Sequence, residues 1–346
     1  MLDIVLIYAI AGLIVSFYIA WNLGANDASN PTDAAVSAGV LSVKRALILF
    51  AIFASLGAIV QGRMVMKTLG RGIVSSIDPL GAIVSSVSAG LWITLMTYFG
   101  MPISTSQSTA SAVFGYGMLK ILEGSATQVN VGVIYTILIS WVTSPLISMG
   151  LTVLNYFLLK KLAMALHKRG YNVERFFKYF LIANICFSAY AFGANDVGNA
   201  TGVYVTTISS LWGVPDEISM TFLAFLGALG IVAGGLTWGY RVIYTVAFRV
   251  TRLDIVSATA AKFANALNVW LFTTIPYILF GWGMPISTTH SSVASIIAAG
   301  IVSKGLKKGV NYKLVMYIVG AWVFTLPGAM GMSMALNFIL KQILPH

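Results

Sequence analysis

The sequence predicts an all-α polytopic membrane protein built from two inverted repeats, with broken helices and helical hairpins. Three observations predict it. Of 346 residues, 58% are hydrophobic and 9% charged, with a mean hydropathy of +0.88. Soluble globular chains carry about 25% charged residues, so this chain has too little polar side chain to cover a water-facing surface. A pair of motifs then occurs twice in the same order. Gly24-Ala25-Asn26-Asp27-Ala28-Ser29-Asn30 is followed by Met101-Pro102-Ile103-Ser104-Thr105-Ser106-Gln107-Ser108. Gly193-Ala194-Asn195-Asp196-Val197-Gly198-Asn199 is followed by Met284-Pro285-Ile286-Ser287-Thr288-Thr289-His290-Ser291. The offsets, 169 and 183 residues, mark a duplication. Third, the basic residues lie between apolar runs, where lipid headgroups and topology place them. The net charge of +11 is therefore no sign of a nucleic-acid partner.

At roughly 20 residues per crossing, the chain has room for about eight to twelve apolar segments. Residues 4–24 form a first span and not a cleaved signal, because Asp3 and no Lys or Arg precede the run and no small-residue cleavage signature follows. The Gly-Ala-Asn-Asp segment should interrupt that span: Gly, Ser and Asn are poor helix formers, and Asn30-Pro31 opposes a continuous helix. A second helix at 46–62, a hairpin of two apolar limbs at 79–121 and a final helix at 131–158 complete repeat 1, residues 1–158. A hydrophilic loop, 159–178, carries Lys160, Lys161, Lys168, Arg169, Arg175 and Lys178 against Glu174 alone, which places it in the cytoplasm. Repeat 2, residues 179–346, follows the same plan: a broken helix, a second helix at 218–240, a hairpin at 255–303 and a final helix at 314–340.

Residues 120–130 hold Lys120 and Glu123, which cancel, whereas 303–313 hold Lys304, Lys307, Lys308 and Lys313 with no acid. The corresponding loops thus face opposite sides, as inverted repeats require. Arg63, Lys67 and Arg71 run against this scheme, because it puts them outside. Gly230 to Gly234 and Gly235 to Gly239 have small-xxx-small spacing, which serves helix packing. Cys186 is the sole cysteine, so neither a disulfide framework nor a zinc site is expected.

An ionised Asp at the centre of a spanning helix costs about 2.5–3.5 kcal/mol on insertion scales, which makes Asp27 and Asp196 functional candidates. With Asn26, Asn30, Asn195 and Asn199 they offer carboxylate and amide oxygens, the shell a hard cation such as sodium takes. The plainer alternative is that both Asp residues cap the half-helices that follow them. Each Pro-Ile-Ser-Thr segment begins the second limb of a hairpin, and a helix N-terminus binds anions without Arg or Lys. The hydroxyls of Ser104, Thr105, Ser106, Ser287, Thr288 and Thr289 both donate and accept, which suits a partly protonated oxyanion such as phosphate. Hydroxyls that merely bond their own backbone are the alternative here. No Lys or Arg falls within either motif. Two carboxylates and a divalent anion can share such a site only if sodium ions, or failing them protons, enter too. His290 aligns with Gln107, and either proton coupling or neutral hydrogen bonding fits it. Asp33, opposite Gly202 in the second copy, reads as a helix-start cap or an added ion ligand. Asp78 and Asp254 stand at segment boundaries.

These motifs resemble those of the PiT-type inorganic phosphate transporter family, whose repeated signature is similar to Gly-Ala-Asn-Asp-Val-Ala-Asn-Ala and whose hairpins carry Pro-Ile/Val-Ser-Thr-Thr-His. The second hairpin motif is matched in full at 285–290 and the first in part at 102–107. The resemblance covers essentially the whole chain. It implies a multi-pass protein of the cell membrane, not an enzyme and without a cofactor, commonly a homodimer, that takes up phosphate with sodium or protons. It also places Asn26, Asp27, Asn195 and Asp196 among the ion and substrate ligands, with the hairpin tips closing on phosphate; Gln107 and His290 complete the candidate substrate set. Pro31 in place of Ala and Gln107 in place of a second His depart from the pattern, so one half-site could hold a different ion. The family also includes sulfate permeases. Two Asp residues favour phosphate, since a protonated phosphate oxygen can donate to a carboxylate and sulfate cannot. An intramembrane aspartyl protease would show Gly-x-Gly-Asp and Pro-Ala-Leu, and neither occurs. A passive channel would not need the cation-binding breaks.

Overall fold

In lipid every backbone N–H and C=O needs an internal partner, and a chain this apolar meets that need with helices. The computed structural model describes residues 2–69, 77–124, 131–213 and 215–343, and all regular elements among them are helical. The first half comprises α1 (Leu2–Asp27), α2 (Ser29–Ser37), α3 (Val43–Gln61), α4 (Arg63–Leu69), α5 (Pro79–Tyr98), α6 (Thr105–Leu122) and α7 (Val131–Lys168). The second comprises α8 (Val173–Trp212), α9 (Glu217–Trp238), α10 (Tyr240–Tyr244), a π-helical turn at Thr245–Val250, α11 (Ile255–Phe280), α12 (Thr288–Lys304) and α13 (Tyr312–Ile343). Among the described residues, eight helices are long and apolar enough to cross a membrane, which makes this a multi-pass membrane protein.

Starts follow side-chain caps. Ser42, Asp78, Asp216 and Asp254 accept backbone N–H groups at the beginnings of α3, α5, α9 and α11. Asp78 and Asp254 thus start the first limb of each hairpin. The second helices, hairpins and final helices lie within a few residues of their sequence-based bounds, except that α7 runs on.

Two expectations need correction. The Gly-Ala-Asn-Asp segments are not both unwound. In the first half the interruption is Ala28 alone, still in right-handed helical conformation, with its N–H on the Gly24 carbonyl at 3.2 Å. In the second half α8 passes through Gly193–Asn199 without a break. The difference follows from Pro31, which offers no N–H to the carbonyl of Asp27, whereas Ala200 at the equivalent position keeps its donor. Pro31 also lies in the first turn of α2, where a missing N–H costs little, so the helix resumes at once. The hydrophilic stretch 159–178 is not a loop either. It is the end of α7 and the start of α8, joined by residues 169–172, with Gly170 at φ +77° making the turn. Helix keeps the backbone bonded there while the Lys and Arg side chains reach water.

The halves interlock through glycine. A Cβ on Gly24 would stand 1.9 Å from the Ile231 carbonyl oxygen, and one on Gly234 would stand 1.8 Å from that of Trp21, so α1 and α9 cross backbone to backbone. The equivalent crossing joins α3 and α8: a Cβ on Gly193 would stand 1.9 Å from the Ala54 carbonyl oxygen, and one on Gly57 the same distance from that of Tyr190. The first helix of each half therefore packs on the second helix of the other. Phe50 and Phe192, rings 5.4 Å apart, fill the core beside these crossings.

Hydrogen bonds fix the direction of each hairpin. Tyr18 and Asn22 meet Thr94, and Asn26 meets Thr97, so α5 runs parallel to α1. In the same way Ser188 meets Asn265 and Asn195 meets Thr273, so α11 runs parallel to α8. Ser37, at the end of α2, bonds Thr251 and Leu253 just ahead of α11. Hairpin α11–α12 therefore enters from the end of the bundle at which α2 finishes, and hairpin α5–α6 enters from the opposite end. Arg63 pairs with Glu217 at 2.7 Å, and that partner accounts for a basic residue at odds with the charge scheme. The Lys67 side chain and Arg71 lie outside the described residues.

Gly24→Ala or Gly193→Ala should each push two helix backbones apart and cost at least about 1–3 kcal/mol. Gly150→Ala, which meets nothing within 4 Å, should change stability by no more than about 1 kcal/mol. Melting of the purified protein in detergent distinguishes them: equal Tm values for all three would contradict the interlock.

Candidate functional site

The non-helical tips of the two hairpins follow helices long and apolar enough to cross a membrane, and their buried backbone groups need partners. One asparagine serves each tip in the same way. Asn26 donates from Nδ2 to Thr97 Oγ1 at 2.8 Å and to the Met101 carbonyl at 3.0 Å, and its Oδ1 accepts from the Ile103 N–H at 3.1 Å. Asn195 donates to Thr273 Oγ1 at 2.8 Å and to the Met284 carbonyl at 3.0 Å, and accepts from the Ile286 N–H at 3.3 Å. Both amides are wholly buried. Their donors are spent on the hairpins, which leaves each one lone pair on Oδ1 for any other ligand.

So held, the tips meet. Ser106 Oγ donates to the Ile286 carbonyl at 3.2 Å, joining hairpin α5–α6 to hairpin α11–α12. Ser104 and Ser287 cap α6 and α12, accepting from the Gln107 and His290 N–H groups at 3.1 Å each. The two helix N-termini and the residues of α1, α2 and α8 converge on one buried polar cluster, termed the chamber. Asp27 accepts from Thr105 at Oδ2 and from Thr289 at Oδ1, each at 2.8 Å, so one carboxylate receives a hydroxyl from each hairpin. Asn30 donates to Thr289 at 3.1 Å and to Thr288 at 3.3 Å. Its equivalent Asn199 donates to Ser106 at 2.9 Å and to Asp196 Oδ1 at 3.1 Å. Each of these asparagines thus reaches the hairpin of the opposite half.

Asp27 and Asp196 are both fully buried and within electrostatic reach of each other. Among the described residues no Lys or Arg pairs with either. Several buried acceptors are unpartnered: Asp196 Oδ2, Asn199 Oδ1 and Gln107 Oε1. Buried polar atoms without partners are rare in native structures, and the two on Asp196 and Asn199 are free to meet a cation or a donating ligand.

The structure brings Asn26, Asp27, Asn30, Thr105, Ser106, Asn195, Asp196, Asn199, Thr288 and Thr289 together. Ser104 and Ser287 stand just behind as caps. His290 is turned to the scaffold, its ring 4.1 Å from that of Trp322 and bonded to the Trp141 carbonyl. Trp322 in turn donates to the Pro102 carbonyl at 2.9 Å, so this stack joins the two hairpins through α13. Asp33 is not a helix-start cap. It lies inside α2, whose N-cap position is Ala28, and pairs with a residue the motif search passed over, Lys262 of α11. The signal was available: Lys262 is the only Lys, Arg, Asp or Glu between Asp254 and Lys304, and a charge in such a segment marks function by default. Thr97 and Thr273 were missed because a single Thr in an apolar helix carries no pattern of its own.

The chain is similar to known proteins over most of its length. A family model described as the phosphate transporter family matches residues 23–333. A solved structure described as the sodium-dependent phosphate transporter superposes with a TM-score of 0.83 at 26% identity, covering 97% of this chain and 100% of that one. A protein of Pyrococcus furiosus, provisionally named a phosphate permease, is 28% identical over 92% of both chains. Inorganic phosphate transporter 2-1, chloroplastic, of Arabidopsis thaliana is 26% identical over 96% of this chain and 72% of its own. These are transporters, which removes the protease reading. With its motif pairs in place and the match running from α1 into α13, the chain belongs to the phosphate transporter family.

Proposed function

We propose that this protein is a cation-coupled secondary transporter that imports inorganic phosphate, with sodium ahead of protons as the coupling ion. The observation that carries the reading is the pair of buried carboxylates, Asp27 and Asp196, set without a basic partner where two helix N-termini converge. A helix N-terminus stabilises an anion by at most about 2 kcal/mol. Two unit charges 4 Å apart repel by roughly 4 kcal/mol at an effective dielectric of 20, and a divalent phosphate facing two carboxylates multiplies that term. The dipoles cannot offset it, so cations must enter with the anion. The sodium dependence named for the similar solved structure supports sodium.

The hydroxyls supply an order of events. Thr105 and Thr289 each carry one hydroxyl proton, and both protons point at Asp27. A cation on Asp27 would take up the carboxylate lone pairs and release those protons to an oxyanion. Asn30 and Asn199, with one Oδ1 each, suit the cation shells. Asn26 and Asn195 act first as hairpin anchors and add at most one lone pair each. His290, stacked on Trp322, bears on the site by holding the tips, and Gln107 contributes its backbone N–H to the Ser104 cap.

Phosphate is favoured over sulfate because Asp196 Oδ2 and Asn199 Oδ1 are buried acceptors without donors. The O–H of a partly protonated phosphate can satisfy one of them, and sulfate has none to give. Alternating access by inverted repeats is supported by the two hairpins, which enter from opposite ends and meet at one chamber. A homodimer is the assembly implied by the family resemblance.

Asp27→Asn and Asp196→Asn should each reduce concentrative phosphate uptake in proteoliposomes to background while the purified variants stay monodisperse. Wild-type uptake from either one would refute the site. In the wild-type protein an imposed inward sodium gradient should drive labelled phosphate uptake, and sulfate should compete more than about 100-fold less well. Counterflow of phosphate indifferent to both sodium and pH would refute cation coupling.

A further inference from the structure

Lys262 is wholly buried in α11, outside both motifs, and its Nζ sits in a cage of oxygens. Asp33 Oδ1 is 2.5 Å away, Ser292 Oγ is 2.9 Å away, and the carbonyl of Asn30 closes the third side. Ser292 Oγ ties the cage together, reaching the same carbonyl at 2.9 Å and Asp33 Oδ2 at 3.3 Å. Carboxylate, carbonyl and hydroxyl are the donor set with which proteins hold hard cations. The cage is continuous with the chamber, since the side chain of Asn30 bonds Thr288 and Thr289, and Thr289 bonds Asp27.

The arrangement exists in only one half. Counting from the paired motif residues, and from Thr97 and Thr273 along the hairpin limbs, the positions equivalent to Asp33, Lys262 and Ser292 are Gly202, Ser86 and Thr109. The fold is thus built twice and the cage once, so the charge pair is no requirement of the fold. A buried ion pair is also poor evidence for stability, because packed apolar residues commonly do as well.

We infer that the ammonium of Lys262 is a resident cation of the transport site, filling a third cation position beside those of Asp27 and Asp196. The inference rests on the cation-coupled reading. Three buried carboxylates, Asp27, Asp33 and Asp196, stand against one buried ammonium, which leaves two charges for exchangeable monovalent cations. Without the ammonium, the cage of Asp33, Asn30 and Ser292 becomes an additional site that a mobile cation must occupy.

The test uses the full-length protein, with sodium ion and inorganic phosphate as probes. Lys262→Ala and Lys262→Gln are compared with the wild type and with Asp33→Asn/Lys262→Met, which removes cage and charge together. Melting is followed in detergent as sodium chloride replaces choline chloride at constant ionic strength. The single variants should gain a further saturable sodium-dependent rise in Tm, beyond the one that the wild type and the double variant show from the cation positions of Asp27 and Asp196. In proteoliposomes the number of cations per phosphate, read from the voltage at which flux reverses, should rise by one in the single variants. A wild-type sodium dependence of Tm and a wild-type ratio in Lys262→Ala overturn the inference. So does failure of both single variants to fold in sodium while the double variant folds, since the ammonium is then only a structural counter-charge. A wild type that responds to neither a sodium nor a proton gradient brings down the cation-coupled reading itself.

Discussion

Backbone polar groups that leave a helix inside a membrane must find partners in the protein, and the rest of this structure depends on how that is done at the two hairpin tips. Residues 99–104 and 281–287 are non-helical, and the stretches Pro102–Ser104 and Ile286–Ser287 within them are largely buried. The amide of Asn26 or Asn195 has the same donors and acceptor as a peptide group, so one side chain can close three backbone and hydroxyl contacts at once. Once the tips are pinned, the starts of α6 and α12 are aimed at each other, Ser106 meets Ile286, and the hydroxyls of the first turns surround Asp27. The chamber is therefore a consequence of tethering. An Asp at the same places in α1 and α8 without its neighbouring Asn would face unsupported loops.

The close crossings of α1 with α9 and α3 with α8 give that tethering a rigid base. Because glycine brings the backbones together there, small displacements of one half carry to the other. Each Asp is borne by a helix locked to the opposite half, while Asn30 and Asn199 each bond the opposite hairpin. Neither half can rearrange around its own Asp alone, which is the mechanical condition for one shared site instead of two independent ones.

Much of this was legible in the sequence, for identifiable reasons. Helix bounds followed hydropathy, and Asp78, Asp254 and Pro79 marked the hairpins as caps and first-turn residues do. The chemistry-bearing residues were legible because charge is so scarce that Asp27 and Asp196 stand out. Propensity misled at Gly193–Asn199, where tertiary packing overrides weak helix formers: Gly193 is small for the sake of the α3 crossing and does not mark a break. The helical ends of α7 and α8 were hidden because hydrophilic sequence reads as loop when lipid is taken to end the helix. The pairing of Asp33 with Lys262 joins residues 229 positions apart, and no period or spacing announces such a contact.

Duplication did not produce equal half-sites. Thr289, equivalent to Ser106, donates to Asp27, whereas Ser106 donates to the Ile286 carbonyl. Asp27 therefore has a close hydroxyl on each oxygen, while Asp196 has the amide of Asn199 on Oδ1 and, with Thr288 nearby, no close hydrogen bond on Oδ2. Under the cation-coupled reading this difference ranks the two positions. A cation can reach Asp196 by using an oxygen that is already bare, with Asn199 Oδ1 unpartnered next to it. A cation on Asp27 must share each oxygen with a hydroxyl already bonded there, and by weakening those two bonds it frees the hydroxyls that face the incoming anion. Filling Asp196 also relieves the repulsion between the carboxylates, which lowers the cost of keeping Asp27 ionised when its hydroxyls turn away. Under that reading the chamber is charged in sequence, with the cation at Asp27 and the oxyanion arriving as one electrostatic event. The anion would then gain its donors only when the counter-charge is in place, which would let a site with no basic side chain on its carboxylates bind an oxyanion without leaking it.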